Sequence, residues 1–129
     1  MTSSISDFQP VFMTLEERGP AIVARLTKPN LTDEENIEQL GHEFLTLVEH
    51  YGCLKIVVDL ATTRMMTSAA LGKLISLHRN LHRRGGRLVL CSLKGMVLDV
   101  MVTAKLTDYF TVADTVDDAV ATLSSPSGQ

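Results

Sequence analysis

Two neighbouring hydroxyl residues, Thr67 and Ser68, stand directly before a stretch in which apolar residues recur with helical spacing. A hydroxyl at this place can accept hydrogen bonds from the free amides of the first helical turn, which is the role of an N-cap. The partial positive charge of a helix N-terminus also favours an added phosphate, so either hydroxyl is a candidate for phosphorylation. Capping is the more common role of such a pair, and the residues alone leave both interpretations open.

The segments on either side of this pair predict a strand, a short loop and a helix. Residues 53–60 form a largely apolar run, which is typical of a central strand covered on both faces. A polar loop, 61–64, separates this run from a helical pattern that begins at Ser68 and ends at the glycine pair Gly85-Gly86. The hydroxyl pair should therefore lie at the N-terminus of a helix that follows a buried strand.

The rest of the chain alternates strands and helices. A hairpin through Arg18-Gly19-Pro20 is predicted first, and a helix capped by Thr32 or Asp33 follows it. The predicted strands are 11–15, 21–26, 53–60, 87–92 and 108–112, and the predicted helices are 34–51, 68–84, 96–106 and 117–123. The order ββαβαβαβα predicts an α/β fold in which a central mixed sheet of about five strands carries about four helices.

A single domain with two loose ends accounts for the whole length. Residues 10–123 should form the domain, residues 1–9 a loose N-terminal segment, and residues 124–129 a flexible C-terminal tail. The sequence does not decide whether the helices cover one face of the sheet or both. The residues that we expect to be largely buried are Val57, Leu71, Leu74, Ile75, Val89 and Val100.

The bulk composition excludes several classes of protein. With 129 residues, 45% hydrophobic content and a formal charge of −3, the chain can bury a core but lacks the basic surface of a nucleic-acid binder. No apolar run reaches the roughly 18 residues of a membrane span, and the polar N-terminal segment is unlike a signal peptide, so we expect a cytoplasmic protein with no membrane association. Cys53 and Cys91 lie beside apolar segments and are expected to be reduced core thiols.

The sequence carries no recognisable enzyme constellation. GxGxxG, P-loop and CxxC patterns are absent, and Ser68 has no base partner at a recognisable spacing. The neighbouring carboxylates Glu34 and Glu35 fit the first turn of a helix, where they complement its dipole, better than they fit a metal site. His78 falls on an apolar helical stripe and is expected to be packed. We therefore predict a non-enzymatic protein with no cofactor and no metal ion.

The segment around the hydroxyl pair resembles the signature of STAS domains, the family of bacterial anti-sigma-factor antagonists. That signature runs from a strand through a short loop to Met-Asp-Ser-Ser/Thr/Ala-Gly-Leu-Gly and a helix. The resemblance covers residues 10 to 123, and it implies that the helices pack mainly against one side of the sheet. The matching segments are Val57-Val58-Asp59-Leu60, Met66-Thr67-Ser68-Ala69-Ala70-Leu71-Gly72, Gly85-Gly86 with the apolar run Leu88-Val89-Leu90-Cys91, the helix-like Met96–Leu106, Leu106-Thr107-Asp108-Tyr109-Phe110 and Asp117-Asp118-Ala119-Val120.

The resemblance implies a binding module that is switched by phosphorylation. Such a domain binds an anti-sigma factor that is also a serine kinase, releases it when the helix-cap serine is phosphorylated, and is reset by a PP2C-type phosphatase. The match places that serine at Ser68, and Thr67 is the alternative acceptor because it stands where the family usually has Asp. The residues predicted to bind the partner are Arg64, Met66, Thr67, Ser68, Ala69, Ala70, Gly72 and Lys73.

Two other functions stay open. A STAS-like scaffold would self-associate, for example as a homodimer, or dock on a larger signalling assembly without being phosphorylated, and Thr67 in place of Asp favours it. A small-ligand sensor would use a helix N-terminus as its anion site.

The surface predicted to bind the partner should consist of small exposed residues, Ala70 among them. Ala70→Glu should therefore leave the thermal stability nearly unchanged.

Overall fold

The structure of the chain, a computed structural model, describes residues 5–124. Within these residues the predicted order of strands and helices is confirmed, and one short strand pair is added. No helix in this part of the chain is long and apolar enough to cross a membrane. The strands are β1 (Met13–Arg18), β2 (Ala21–Leu26), β3 (Asn30–Leu31), β4 (Lys55–Asp59), β5 (Met65–Met66), β6 (Arg87–Cys91) and β7 (Thr111–Ala113). The helices are α1 (Glu34–Leu45), α2 (Ser68–Arg83), α3 (Gly95–Thr103) and α4 (Val116–Ser124).

The central sheet has five strands in the order β1-β2-β4-β6-β7. β1 is antiparallel to β2 and the other neighbours are parallel, which confirms the predicted α/β class with a mixed sheet. A separate parallel pair joins β3 to β5, with Asn30 opposite Met65 and Leu31 opposite Met66. The sequence did not predict this pair, because two-residue strands are too short to leave a periodic pattern.

Helices cover both faces of the sheet. Side chains alternate along a strand, so Val57 of β4 lies on one face while Ile56 and Val58 lie on the other. Ile56 and Val58 belong to the larger core, which α1, α2 and α3 complete, whereas Val57 packs with Val89 and with Ala119 of α4. Three of the four helices of the described chain thus lie on one side, and α4 covers the second face.

Local signals set both ends of the first helix. The Asn36 amide donates a hydrogen bond to Asp33 Oδ2 at 3.1 Å, so Asp33 rather than Thr32 is the N-cap. A π-helical turn, Thr46–His50, continues α1. The chain then leaves the helix near Gly52, whose φ of +66° is a left-handed conformation that glycine adopts without strain.

The predicted core residues are confirmed with two exceptions. Val57, Leu71, Leu74 and Val89 are buried, whereas Ile75 and Val100 pack against the core and are only half-buried. Ile75 lies about 100° round the helix from Leu74, which places it at the margin of the buried stripe. Both cysteines are free thiols, and Cys91 is buried while Cys53 is half-buried.

The last strand was predicted wrongly, because it lies further along the chain. α3 ends at Thr103 rather than 106, and Lys105 then adopts a left-handed φ of +60°. The amides of Tyr109 and Phe110 donate to the Leu106 carbonyl at 3.1 and 2.9 Å. This turn keeps residues 108–110 out of the sheet, so the strand begins at 111. The burial of Phe110 against the larger core explains why the segment has an apolar pattern.

Contacts with the body of the domain begin before residue 10, although residues 1–9 were expected to be loose. Ile5–Asp7 form a turn of 3₁₀-helix. The Phe8 ring stacks on the Tyr51 ring with 5.4 Å between their centroids, and Ile5 also packs against the larger core. Residues 1–4 of this segment, and 125–129 of the predicted tail, lie outside the described residues.

Replacing Leu74 by Ala should lower the free energy of unfolding by about 2–5 kcal/mol, because the change removes buried methyl groups and leaves a cavity. Leu74 is fully buried between α2 and the sheet. Urea unfolding followed by circular dichroism measures the change. The control is Ser76→Ala, at an exposed position of the same helix. A loss below about 1 kcal/mol for Leu74→Ala would contradict its place in the core.

Candidate functional site

Thr67 holds the N-terminus of α2 in place with every polar group it has. Its backbone is extended, with φ −86° and ψ 172°, and its amide donates to the Leu31 carbonyl of β3 at 3.2 Å. Its hydroxyl accepts from the Ala70 amide at 3.3 Å, and its carbonyl accepts from the Leu71 amide at 3.0 Å. Of the two hydroxyls proposed as the cap, Thr67 is therefore the N-cap, and the β3–β5 pair fixes its position.

Ser68 is the first residue of α2, and its side chain is exposed to solvent. It lies within the first turn, where the unpaired amides and the helix dipole create a positive field. No acidic residue occupies this turn. A negative group attached to Ser68 would thus be attracted by the helix and would not be repelled by a neighbouring carboxylate of the turn.

The outward side of α2 next to Ser68 is made of small residues. Ala69 and Ser76 are exposed and Gly72 is half-buried, and their spacing of three and four residues places them on one side of the helix. We call Ser68, Ala69, Gly72 and Ser76 the small-residue face. The extension of this face to Ser76 was not predicted, although the spacing of these residues in the sequence would have revealed it.

Gly72 has no steric reason within the domain to be glycine. Among the described residues, a Cβ added at this position would meet no atom within 4 Å beyond its chain neighbours and the backbone of its own helix. Glycine inside a helix costs roughly 0.5–1 kcal/mol relative to alanine, so the choice of glycine lowers the stability of α2. An external chain that approaches the small-residue face closely would account for this choice.

Two of the residues predicted to bind a partner are buried, which corrects the predicted surface. Ala70 is 0% exposed and Met66 is 6% exposed, and both belong to the larger core. Ala70 lies one position from exposed Ala69, and a step of about 100° round the helix turns it towards the sheet. The expectation that Ala70→Glu leaves the stability unchanged is wrong, because the change would bury a carboxylate.

Lys73, another predicted contact, bridges α2 and α1. Its Nζ lies 3.1 Å from Glu38 Oε2, and its side chain is 27% exposed. The stem of Lys73 packs on Gly41, where an added Cβ would lie 2.7 Å from Lys73 Cδ. Gly41 therefore gives Lys73 room to lie between the two helices. Arg64, by contrast, is exposed in the loop before β5.

The titratable side chains of Cys91 and His78, among the described residues, have pKa values that burial shifts. Burial raises the pKa of the Cys91 thiol to about 11, so this cysteine is protonated at neutral pH. Burial, and then the neighbouring His82, lower the pKa of His78, which lies about 15 Å along the helix from Ser68. Between residues 5 and 124, no group of three or more His, Cys, Asp or Glu side chains is placed to hold a metal ion.

Replacing Thr67 by Ala should lower the free energy of unfolding by about 0.5–2 kcal/mol, because it removes the N-cap hydrogen bond to Ala70. Ser68→Ala is the matched control, since its exposed hydroxyl is not the cap, and it should change the stability by only a few tenths of a kcal/mol. Urea denaturation of both variants provides the comparison. A larger loss in Ser68→Ala than in Thr67→Ala would contradict the assignment of the cap.

The sequence matches the STAS domain family over residues 9–119. An anti-sigma factor antagonist from Mycobacterium paratuberculosis has a similar fold, with a TM-score of 0.76 and 18% identity, and the match covers 88% of this chain and 93% of that one. An anti-sigma-factor antagonist (STAS) domain protein from Planctomyces limnophilus gives a TM-score of 0.72 at 15% identity, covering 87% and 97%. The phosphorylated form of the Bacillus cell fate determinant SpoIIAA gives 0.65 at 22% identity, covering 85% and 97%.

At identities of 15–22%, these structural similarities concern the fold. The family match is more specific, since it extends from before β1 into α4 and includes the N-terminus of α2. On the strength of that match, the chain belongs to the STAS domain family.

Proposed function

We propose that this domain is a regulatory module of the anti-sigma-factor antagonist type, which binds a kinase-type anti-sigma factor or a related signalling kinase. Phosphorylation of Ser68 releases the partner, and a PP2C-type phosphatase restores binding. The module acts in the cytoplasm and is itself not an enzyme. The observation that carries the proposal is the exposed Ser68 at the first position of α2, beside a threonine that already caps the helix.

The different environments of the two hydroxyls support Ser68 as the acceptor. The Thr67 hydroxyl is half-buried and accepts a hydrogen bond from the Ala70 amide, so a kinase would have to break the cap to reach it. The Ser68 side chain is exposed and has no part in the cap. A kinase can therefore reach Ser68 without opening the helix.

A phosphate on Ser68 can change binding while the fold stays intact. It adds a charge of about −1.5 to −2 at neutral pH, which the N-terminus of α2 favours. The same charge would lie beside the small-residue face, where a closely packed partner has no room for a hydrated phosphate. Each tenfold loss of affinity requires only about 1.4 kcal/mol, so one added group is enough to move the binding equilibrium.

Solved structures of a related protein agree with this proposal. The Bacillus protein SpoIIAA has been solved in a phosphorylated form and in an unphosphorylated form, and both have the fold of this chain, with TM-scores of 0.65 and 0.64. For SpoIIAA, the two states are thus compatible with one fold. In this chain, the positive field at the start of α2 provides the physical reason to expect the same.

One departure from the family pattern favours a second function, a scaffold that is not phosphorylated. Thr67 stands where the family usually has Asp, so a carboxylate next to the acceptor is missing. If the kinase needs that carboxylate, the domain still presents the small-residue face for docking or for self-association as a homodimer. Phosphate mapping separates the two functions.

Replacing Ala69 by Glu should abolish capture of a kinase-type anti-sigma factor and leave the thermal midpoint close to that of the wild type, because Ala69 is exposed. The neighbouring Ala70→Glu should instead lower the midpoint strongly, because it places a carboxylate in the larger core. Thermal melts and a pull-down with the purified kinase measure both effects. Equal capture by Ala69→Glu and wild type would place the interface elsewhere.

Incubation with ATP and a purified kinase-type anti-sigma factor that binds the domain should label the domain on Ser68, because this hydroxyl is exposed at the helix N-terminus. Mass spectrometry of the peptides locates the phosphate, and Ser68→Ala is the control that should remove the label. Ser68→Asp should fold normally and bind the kinase more weakly, since negative charge is favoured at this end of the helix. Label on Thr67 alone would shift the acceptor by one residue. If the kinase binds the domain but leaves no label on it, the phosphorylation switch is contradicted and the scaffold function is favoured.

A further inference from the structure

His78 of α2 packs against two aromatic rings at one end of the domain. Its ring centroid lies 4.8 Å from that of Tyr109 and 5.6 Å from that of Phe110, and the latter two centroids lie 5.1 Å apart. We call these three residues the ring cluster. Tyr109 and Phe110 belong to the turn after α3, so the cluster joins α2 to this turn.

The turn that carries these two rings sets the start of β7. The amides of Tyr109 and Phe110 donate to the Leu106 carbonyl, and Phe110 is buried in the larger core. The strand begins at the next residue, Thr111, has three residues and lies at the edge of the sheet, where it is paired with β6. The position of β7 therefore depends on the turn that the ring cluster holds.

One ring nitrogen of His78 is buried without a hydrogen-bond partner. Its Nδ1 exposes less than 1 Å² and has no partner among residues 5–124. A neutral imidazole carries one N–H, whereas the protonated imidazolium carries an N–H on both nitrogens. The imidazolium of His78 would therefore hold a buried Nδ1–H without an acceptor, which costs free energy.

The charges around His78 also oppose a positive ring. The charged or titratable groups around it are Arg79 and His82 of α2, Arg87 of β6, and Lys105, Asp108 and Tyr109 of the turn. The His82 ring centroid lies 6.1 Å from that of His78, and Arg87 lines a cavity of about 430 Å³ together with both histidines. Asp108 is exposed, and none of the ion pairs among the described residues joins a carboxylate to His78.

These surroundings favour the neutral form of His78. Burial, and then His82, lower the pKa of His78 below its ordinary value of about 6.5. The unfolded chain therefore binds a proton at this residue more readily than the folded chain does. The contribution of His78 to stability is present above about pH 6.5 and is lost as the pH falls through the pKa of the folded state.

From this geometry we infer that the ring cluster is a pH-sensitive contact that holds the turn before β7. Neutral His78 packs against Tyr109 and Phe110. Protonated His78 leaves the cluster and turns into the adjoining cavity, where water solvates its charge and accepts from Nδ1–H. The turn and β7 then loosen, while the N-terminus of α2, about 15 Å along the helix, keeps its structure. This device is separate from the proposed Ser68 switch, and its test needs no kinase.

Thermal melts of the full chain from about pH 8 to about pH 5, the range in which histidine changes its charge, test this inference. His78→Phe keeps an apolar ring in the cluster and cannot bind a proton. As the pH falls, the thermal midpoint of the wild type should fall further than that of His78→Phe, so the difference grows in favour of the variant. His42→Gln, which removes an imidazole from an exposed position of α1, is the control and should follow the wild type. A difference that stays constant, or that moves in favour of the wild type in acid, would overturn the inference.

An NMR titration of the isotope-labelled wild type locates the change without any variant. The His78 ring should titrate at a lower pH than the histidines of the urea-unfolded chain. The amide signals of Tyr109, Phe110 and Thr111 should shift or broaden over the same pH range, and that of Ser68 should not. Titration of His78 at a higher pH than in the unfolded chain, as a cation–π contact within the cluster would produce, would contradict the inference. Turn amides that do not respond to the protonation of His78 would contradict it as well.

Discussion

The burial of β4 and β6 on both faces is the constraint on which the rest of the structure depends. Val57 and Val89 face α4, while Ile56 and Leu88 face the three other helices. Parallel neighbours in a sheet need crossover connections, and each crossover leaves from the carboxyl end of its strand. The loops after β4 and β6 therefore meet at one edge of the sheet, where α2 and α3 begin. Ser68, the first residue of α2, lies at this edge because the core requires it.

At that edge, one residue caps the helix and the next residue presents an exposed hydroxyl. Thr67 uses its amide, hydroxyl and carbonyl to join α2 to β3 and to the first helical turn. Ser68 follows as the first helical residue and is exposed. A group attached to Ser68 would thus lie on the surface and would leave the cap intact. If Ser68 were itself the cap, folding and signalling would be coupled through one hydroxyl.

The sequence by itself determined the order of the elements, the α/β class and the hydroxyl pair at the start of α2. These features depend on signals within short segments: apolar periodicity, cap residues and glycine stops. It also limited the N-cap of α1 to Thr32 or Asp33, and the structure selects Asp33. The end of α3 and the bounds of the last strand were predicted at the wrong residues. The turn after Lys105 buries Phe110, and the apolar residues of this turn resemble those of a strand.

Only the tertiary structure decided which side of each element faces solvent and which distant residues meet. The direction of α2 relative to the sheet buries Ala70 and exposes Ala69, although the two are chemically alike in the sequence. A cavity at the carboxyl end of the sheet is lined by both Thr63 and Lys94, which lie in loops separated by α2 and β6. Contacts of this kind form between residues that are far apart in the sequence and are brought together by folding. No local pattern of residues encodes them.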